Sequence, residues 1–229
     1  MESNLVLTTC FTKNRGPQHC VFKGGLENIY DGMKGWYGSL ITCGLKGVIF
    51  HNELSDDYIK KYQNDQVSFV KYDQFHRYSY NDERFYCYKW YLEKNEVENV
   101  LFTDMFDVKF YGNPFSLYGT HDFYLGSELH NNWDCGWRKA KFRQAGLPYL
   151  VKGEKIYNAG IIGGHYKVIM GFLEYMIYKF DRLPKEYNLN TPLYLNFMNR
   201  VFKGKIFTGK PLHNTYYSYK PEGALIEHK

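Results

Sequence analysis

Apolar positions along the first 110 residues switch repeatedly between two periods. Residues 4–12 form a short β-rich run, broken by Lys13-Asn14-Arg15-Gly16-Pro17. Leu26, Ile29, Tyr30, Met33, Tyr37, Leu40 and Ile41 then recur at helical spacing, and Gly44 suits the helix end. Residues 47–52 read as a second, buried strand, and Ser55 as the N-cap of a short helix over 56–63. Residues 67–72 make a third strand. A helix over 81–94 follows, with Phe85, Tyr88 and Leu92 on one face. A fourth strand, 99–102, runs into the polar cluster 103–107. Four alternations of strand and helix predict a mostly parallel α/β sheet flanked by helices on both faces.

The second half is less regular. Residues 123–126 read as a strand, and 131–146 as a polar loop or short helix. Ile161 and Ile162 sit in a short strand before a glycine pair. The helix over 166–180 is clear, with Ile169, Phe172, Leu173, Met176, Ile177 and Phe180 on one side. Residues 192–201 read as a helix with Pro192 in its first turn, and 204–208 and 224–226 as short strands. There is no repeat and no obvious linker, so one α/β domain over 1–229 is expected.

Composition narrows the partners. With 44% apolar and 23% charged residues among 229, the chain is globular rather than disordered. No stretch reaches the roughly 18 apolar residues of a membrane span. Met1-Glu2-Ser3-Asn4 lacks the basic segment of a secretory signal, so a cytoplasmic protein without a transmembrane segment is expected. The net charge of +5 is spread thinly, with no basic run longer than Lys60-Lys61, so no nucleic-acid partner is predicted. Five cysteines, an odd number with no CxxC pair, exclude a disulfide framework or zinc knuckle. The 23 Tyr and 17 Phe either pack the core or line a pocket for a sugar-like ligand, whose apolar face stacks on aromatic rings.

The sharpest chemical signal is Leu101-Phe102-Thr103-Asp104-Met105-Phe106-Asp107-Val108. Here an apolar strand runs directly into two carboxylates, and open α/β sheets bind ligands beyond the carboxyl ends of their strands. Two acids three residues apart on a turn reach one hard divalent cation such as Mg²⁺ or Mn²⁺. The same spacing also describes an ordinary turn with solvated aspartates.

Asp104, Asp107, Val108, Phe110, Asn113, Pro114 and Phe115 resemble the DxD-type metal segment of GT-A fold glycosyltransferases, in its Asp-x-x-Asp form. Tyr157-Asn158-Ala159-Gly160-Ile161-Ile162-Gly163-Gly164 is similar to the segment that follows in these enzymes, and Ala224-Leu225-Ile226-Glu227-His228-Lys229 to their strand-then-histidine ending. Within this class the motifs look most like the domains of large algal (chlorella) viruses that build capsid glycans.

The resemblance implies a single GT-A-like domain with a Rossmann-like sheet. Residues 1–115 would form its nucleotide-sugar half and 116–229 an irregular acceptor-side half. It further implies hexosyl or deoxyhexosyl transfer from a nucleoside-diphosphate sugar, UDP-sugar favoured, to a glycan or glycoprotein acceptor, in the host cytoplasm if the chain is viral. Asp104, Asp107 and His228 would hold Mn²⁺ or Mg²⁺, with His213 in reserve. Thr8, Thr9, Phe11, Lys13, Arg84 and Gly160 would meet the donor, and Arg15 its phosphates.

Asn158 would face the sugar, and Gly163 and Gly164 would permit its close approach. Glu128 is the candidate base, with Asp122 and Asp134 as competitors. Trp133, Trp137 and Tyr157 are possible stacking surfaces. A surface ion pair of Arg84 with Asp82 or Glu83 is the alternative reading for that residue. Related enzymes often carry Asp-Gln where this chain reads Asn188-Leu189-Asn190-Thr191-Pro192-Leu193, without an acid. Two other classes stay open: a non-catalytic carbohydrate-binding module, and a sugar nucleotidyltransferase or phosphotransferase.

Overall fold

The four apolar runs of the first half become neighbouring strands. The computed structural model describes residues 2–12, 29–77, 79–128, 134–216 and 222–229. Lys13, Arg15, Leu26 and Trp133 lie outside them. Strands β1 (Glu2–Cys10), β2 (Gly47–His51), β3 (Val67–Lys71) and β4 (Val97–Thr103) pair in parallel, in the order β3-β2-β1-β4. Their side chains feed a core on each face. Leu5, Leu7, Phe50 and Phe102 enter one cluster, and Val6, Ile49 and Leu101 the other. Burial on both faces is why these strands read as unbroken apolar runs.

Helices α1 (Ile29–Thr42) and α2 (Asp56–Tyr62) cover the second cluster. The Ser55 Oγ caps α2 by accepting from the Tyr58 N–H. Helices α3 (Tyr80–Leu92), α4 (Gly136–Gln144), α5 (Tyr166–Phe180) and α6 (Asn190–Asn196) pack on the first. The C-terminal part of the expected 192–201 helix is a π-helical turn, Phe197–Val201.

The sheet continues from β4 through β7 (Tyr157–His165), β6 (Phe123–Ser127) and β8 (Ile206–Thr208). Only β7 runs against its neighbours. The short strand expected around Ile161 is therefore a nine-residue strand in mid-sheet. Gly163 and Gly164 lie inside it, opposite Leu101 and Val100. A Cβ at these positions would lie 1.8 Å from the Tyr118 hydroxyl and 2.6 Å from the Asp122 carbonyl oxygen. Their missing side chains make room for the protein itself, which corrects the expectation that they admit a sugar.

A two-stranded antiparallel ribbon, β5 (Val108–Phe110) with β9 (Ile226–His228), completes the strands. No helix among the described residues is long and apolar enough to cross a membrane.

Candidate active site

The reversal of β7 brings three strand termini together. Thr103, the last residue of β4, pairs with Ile161, so residues 158–160 of β7 run on beside Asp104. The β6–β7 register slips between Leu125 and Gly126: Leu125 faces Ile162, yet Gly126 faces Asn158. A bulge of this kind frees backbone groups and re-aims side chains. The freed carbonyls are used at once. The Ala159 oxygen accepts from Arg84 Nη2 at 3.0 Å, and the Gly160 oxygen accepts from the Asp104 N–H at 3.1 Å.

Thr103 is anchored twice. Its carbonyl accepts from Thr8 Oγ1 and its hydroxyl from Trp36 Nε1, each at 2.8 Å. The chain then turns out of the sheet through Asp104 and Asp107 into β5, which carries β9 beside it. That pairing buries His228 to 2% exposure. Its N–H donates to Asn214 Oδ1, and the following Lys229 N–H donates to the Asp107 carbonyl.

His228 Nε2 lies 3.6 Å from Asp104 Oδ2 and 3.5 Å from Asp107 Oδ2. One ligand atom from each of the three residues falls within 4.8 Å of the others. Arg84 Nη1 takes the other oxygen of Asp104, Oδ1, at 2.5 Å. The expected surface pair of Arg84 with Asp82 or Glu83 is replaced by this buried contact, because the first turn of α3 faces the site.

The residues present fit a divalent cation. Two carboxylates and an imidazole form a donor set suited to Mn²⁺ or Mg²⁺. His228 Nδ1 is buried without a hydrogen-bond partner among the described residues. A Cβ on Gly160 would sit 2.2 Å from His228 Cε1 and 2.6 Å from Asp104 Oδ2, so only glycine leaves this cradle open.

Two cavities adjoin the cluster. The first, about 400 Å³, is lined by Thr9, Phe11, Ser79, Tyr80 and the turn 104–107. The second, about 350 Å³, is lined by Glu128, Trp137, Tyr157, Asn158, Gly160, Asn188, Asn190, Thr191 and Tyr194. Asn81, Arg84, Asp104 and Tyr216 belong to both.

Thr8 is corrected: it is fully buried and spends its hydroxyl on Thr103, while its neighbour Thr9 lines the first cavity. Glu128 is held by Arg138 Nη2 at 2.8 Å. Burial pushes the Glu128 carboxyl upward against the opposing pull of Arg138. Asp122 precedes β6, at the end of the strand opposite Glu128, and accepts from the Lys205 N–H. Asp134 is exposed and paired with Lys139. Neither lines a cavity. His213 is also corrected as reserve ligand: it is buried, its Nε2 accepts from the Gly209 N–H at 3.1 Å, and its Nδ1 contacts the Asn214 carbonyl.

Sequence reasoning missed Tyr216, whose ring centroid lies 4.5 Å from that of His228. It also missed Asp82. The stretch 188–193 lacks an acid, yet Asp82 on α3 supplies a carboxylate to its backbone from outside.

No protein-family model and no curated protein matches the chain. Solved structures do. The galactosyltransferase LgtC, in complex with donor and acceptor sugar analogues, superposes with a TM-score of 0.58 at 10% identity, covering 98% of this chain and 86% of that one. An active-site mutant of LgtC gives 0.57, also at 10% identity and with the same coverage. At this identity the likeness establishes the architecture alone: the chain has a GT-A-like fold.

Proposed function

We propose that this protein is a glycosyltransferase that moves a sugar from a nucleoside-diphosphate donor to a glycan or glycoprotein acceptor with the help of a divalent cation. The observation that carries the reading is the Asp104–Asp107–His228 cluster at the junction of two cavities. A bound cation would neutralise the charge that develops on the departing diphosphate.

The chain's own groups prepare the rest. The first cavity, with the aromatic rings of Phe11 and Tyr80, suits a base and ribose. Arg84 fixes Asp104 and adds positive charge where the diphosphate would lie. Asn158 spends its carbonyl oxygen on the Gly160 N–H, so it offers its NH₂ to a sugar hydroxyl. Glu128 is the carboxylate on the acceptor side. The first cavity draws mainly on residues before 115 and the second mainly on those after 116, in keeping with a donor half and an acceptor half. Uridine as the base and a capsid glycan as acceptor follow from the sequence resemblance and are the first choices to try.

The test is a thermal-shift panel of UDP, GDP, CDP, ADP and dTDP, each with and without Mn²⁺. One nucleotide should raise the melting temperature only when Mn²⁺ is present. At a hundredfold excess over Kd the linkage is worth about 2.7 kcal/mol. Asp104→Ala should erase it. The absence of a Mn²⁺-dependent shift with all five nucleotides would overturn the reading.

A further inference from the structure

We propose that Asp82 is a positioning residue that presents the side-chain oxygen of Asn188 to a hydroxyl of a neutral sugar in the second cavity. The inference rests on the glycosyltransferase reading and adds to it a residue that touches the sugar and a device that holds that residue in place.

The start of a helix leaves backbone N–H groups without partners inside the helix. The residue before α6, Leu189, provides no side-chain cap. Asp82, reaching across from α3, does so instead. Its carboxylate accepts from the Leu189 N–H at 3.0 Å and from the Asn190 N–H at 2.8 Å. Arg77 Nη2 stands 3.5 Å from the same carboxylate, with both side chains essentially buried. Arg77 also donates to the carbonyls of Phe180, Leu183, Pro184 and Tyr187. One Arg–Asp pair beside α3 thus clamps the whole connection from α5 to α6.

Asn188 sits in that clamped stretch. It is 3% exposed and lines the second cavity. Its Oδ1 meets no hydrogen-bond donor among the described residues. A buried carbonyl oxygen left without a donor is costly, and native structures seldom keep one without a reason. The Tyr194 hydroxyl, in the wall of the same cavity, is likewise without a partner among them. A hydroxyl-bearing ligand satisfies both. The cavity side chains nearest in sequence, Asn190 and Thr191, are uncharged, so the matching chemistry is a neutral sugar. Its hydroxyl belongs either to the donor's sugar or to the acceptor's.

The experiment measures Mn²⁺-dependent affinities of the intact protein and of Asn188→Ala, Asn188→Asp and Asp82→Asn. The probes are UDP, UDP-glucose, UDP-galactose and, with UDP present, free glucose, galactose and xylose. If the nucleotide panel selects guanosine, they are GDP, GDP-mannose, GDP-fucose and the free sugars. Asn188→Ala and Asp82→Asn should keep the nucleoside-diphosphate Kd within about twofold and weaken a sugar probe about tenfold, while Asn188→Asp, which keeps an acceptor oxygen, retains it. A loss confined to the nucleotide sugar assigns the hydroxyl to the donor, and a loss on free sugar assigns it to the acceptor. Equal affinity of every sugar probe for the parent and for Asn188→Ala overturns the proposal. So does an Asp82→Asn variant that weakens nucleotide and sugar in equal proportion, the mark of a merely structural role. No nucleotide binding by the parent would sink the glycosyltransferase reading itself, and this inference with it.

Discussion

Gly160→Ala is the most direct probe of the candidate metal cluster. The added methyl would lie 2.2 Å from His228 Cε1, 2.6 Å from Asp104 Oδ2 and 2.7 Å from His228 Nε2. Comfortable carbon contacts begin near 3.5 Å, so the imidazole must retreat by about 1.3 Å. It has little room, because His228 is buried on a strand paired with β5. Metal–ligand distances tolerate about 0.2 Å, so this displacement is several times what a shared cation survives. Overpacking costs about 1–3 kcal/mol in itself, or roughly 2–4 °C of melting temperature per kcal/mol. The assay is the melting temperature with a nucleoside diphosphate, with and without Mn²⁺. The variant should melt several degrees lower and lose the Mn²⁺-dependent increment. Gly163→Ala is the control, since its methyl would meet the Tyr118 hydroxyl in mid-sheet, and it should lose stability while keeping the increment. A Gly160→Ala protein with the parent's full Mn²⁺-dependent shift would refute the three-ligand cluster.

Three further expectations use the same material. Arg84→Met leaves Asp104 Oδ1 and the Ala159 oxygen without their guanidinium; urea unfolding should show a loss of about 1–3 kcal/mol, below the range for fully buried pairs because Asp104 is 37% exposed. Burial pushes the Asp82 carboxyl up from 3.8 to about 6, against the lowering effects of the Leu189 N–H and Arg77. The folded state therefore holds that proton more tightly, and stability relative to Asp82→Asn should fall by about 3 kcal/mol as pH rises from below 4 to above 6; a flat difference in unfolding free energy across that window would contradict the assignment. His213→Ala should lower the melting temperature and keep the Mn²⁺-dependent shift, whereas His228→Ala should abolish the shift; the reverse pattern would exchange the roles given to the two histidines.

What the sequence revealed depended on how local the cause was. Strands β1, β2 and β4 are buried on both faces, so their apolar runs stood out. The helix read over 166–180 matches α5 residue for residue, because one amphipathic face meets one core. Asp104 and Asp107 were legible as a pair beyond a strand end. The orientation of β7 was not legible, since a strand's neighbours are set by partners elsewhere in the chain. The charged run Asp82-Glu83-Arg84 reads as an ordinary exposed helix start, yet all three residues are buried. Asp82 caps α6, Arg84 grips Asp104, and Glu83 accepts from the Tyr72 hydroxyl and the Arg77 N–H. Each partner lies outside the helix that carries the residue, and no periodicity within the helix encodes it.

The same logic explains why three residues of β7 matter more than their small side chains suggest. Asn158, Ala159 and Gly160 lie in the bulge, where β6 makes no claim on the backbone. Arg84 binds the Ala159 carbonyl, Asp104 binds the Gly160 carbonyl, and Asn158 binds the Gly160 N–H. A guanidinium, a carboxylate and a carboxamide are thus set by one short stretch of main chain. Side chains alternate along a strand, so Asn158 and Gly160 share a face and Ala159 takes the other. A slip of one residue would put a methyl against His228 and move the carboxamide out of its cavity. The register is held from the far side by Ile161 and Ile162, buried opposite Thr103 and Phe102. The core therefore fixes the site: apolar packing two residues away decides where the groups with chemistry stand.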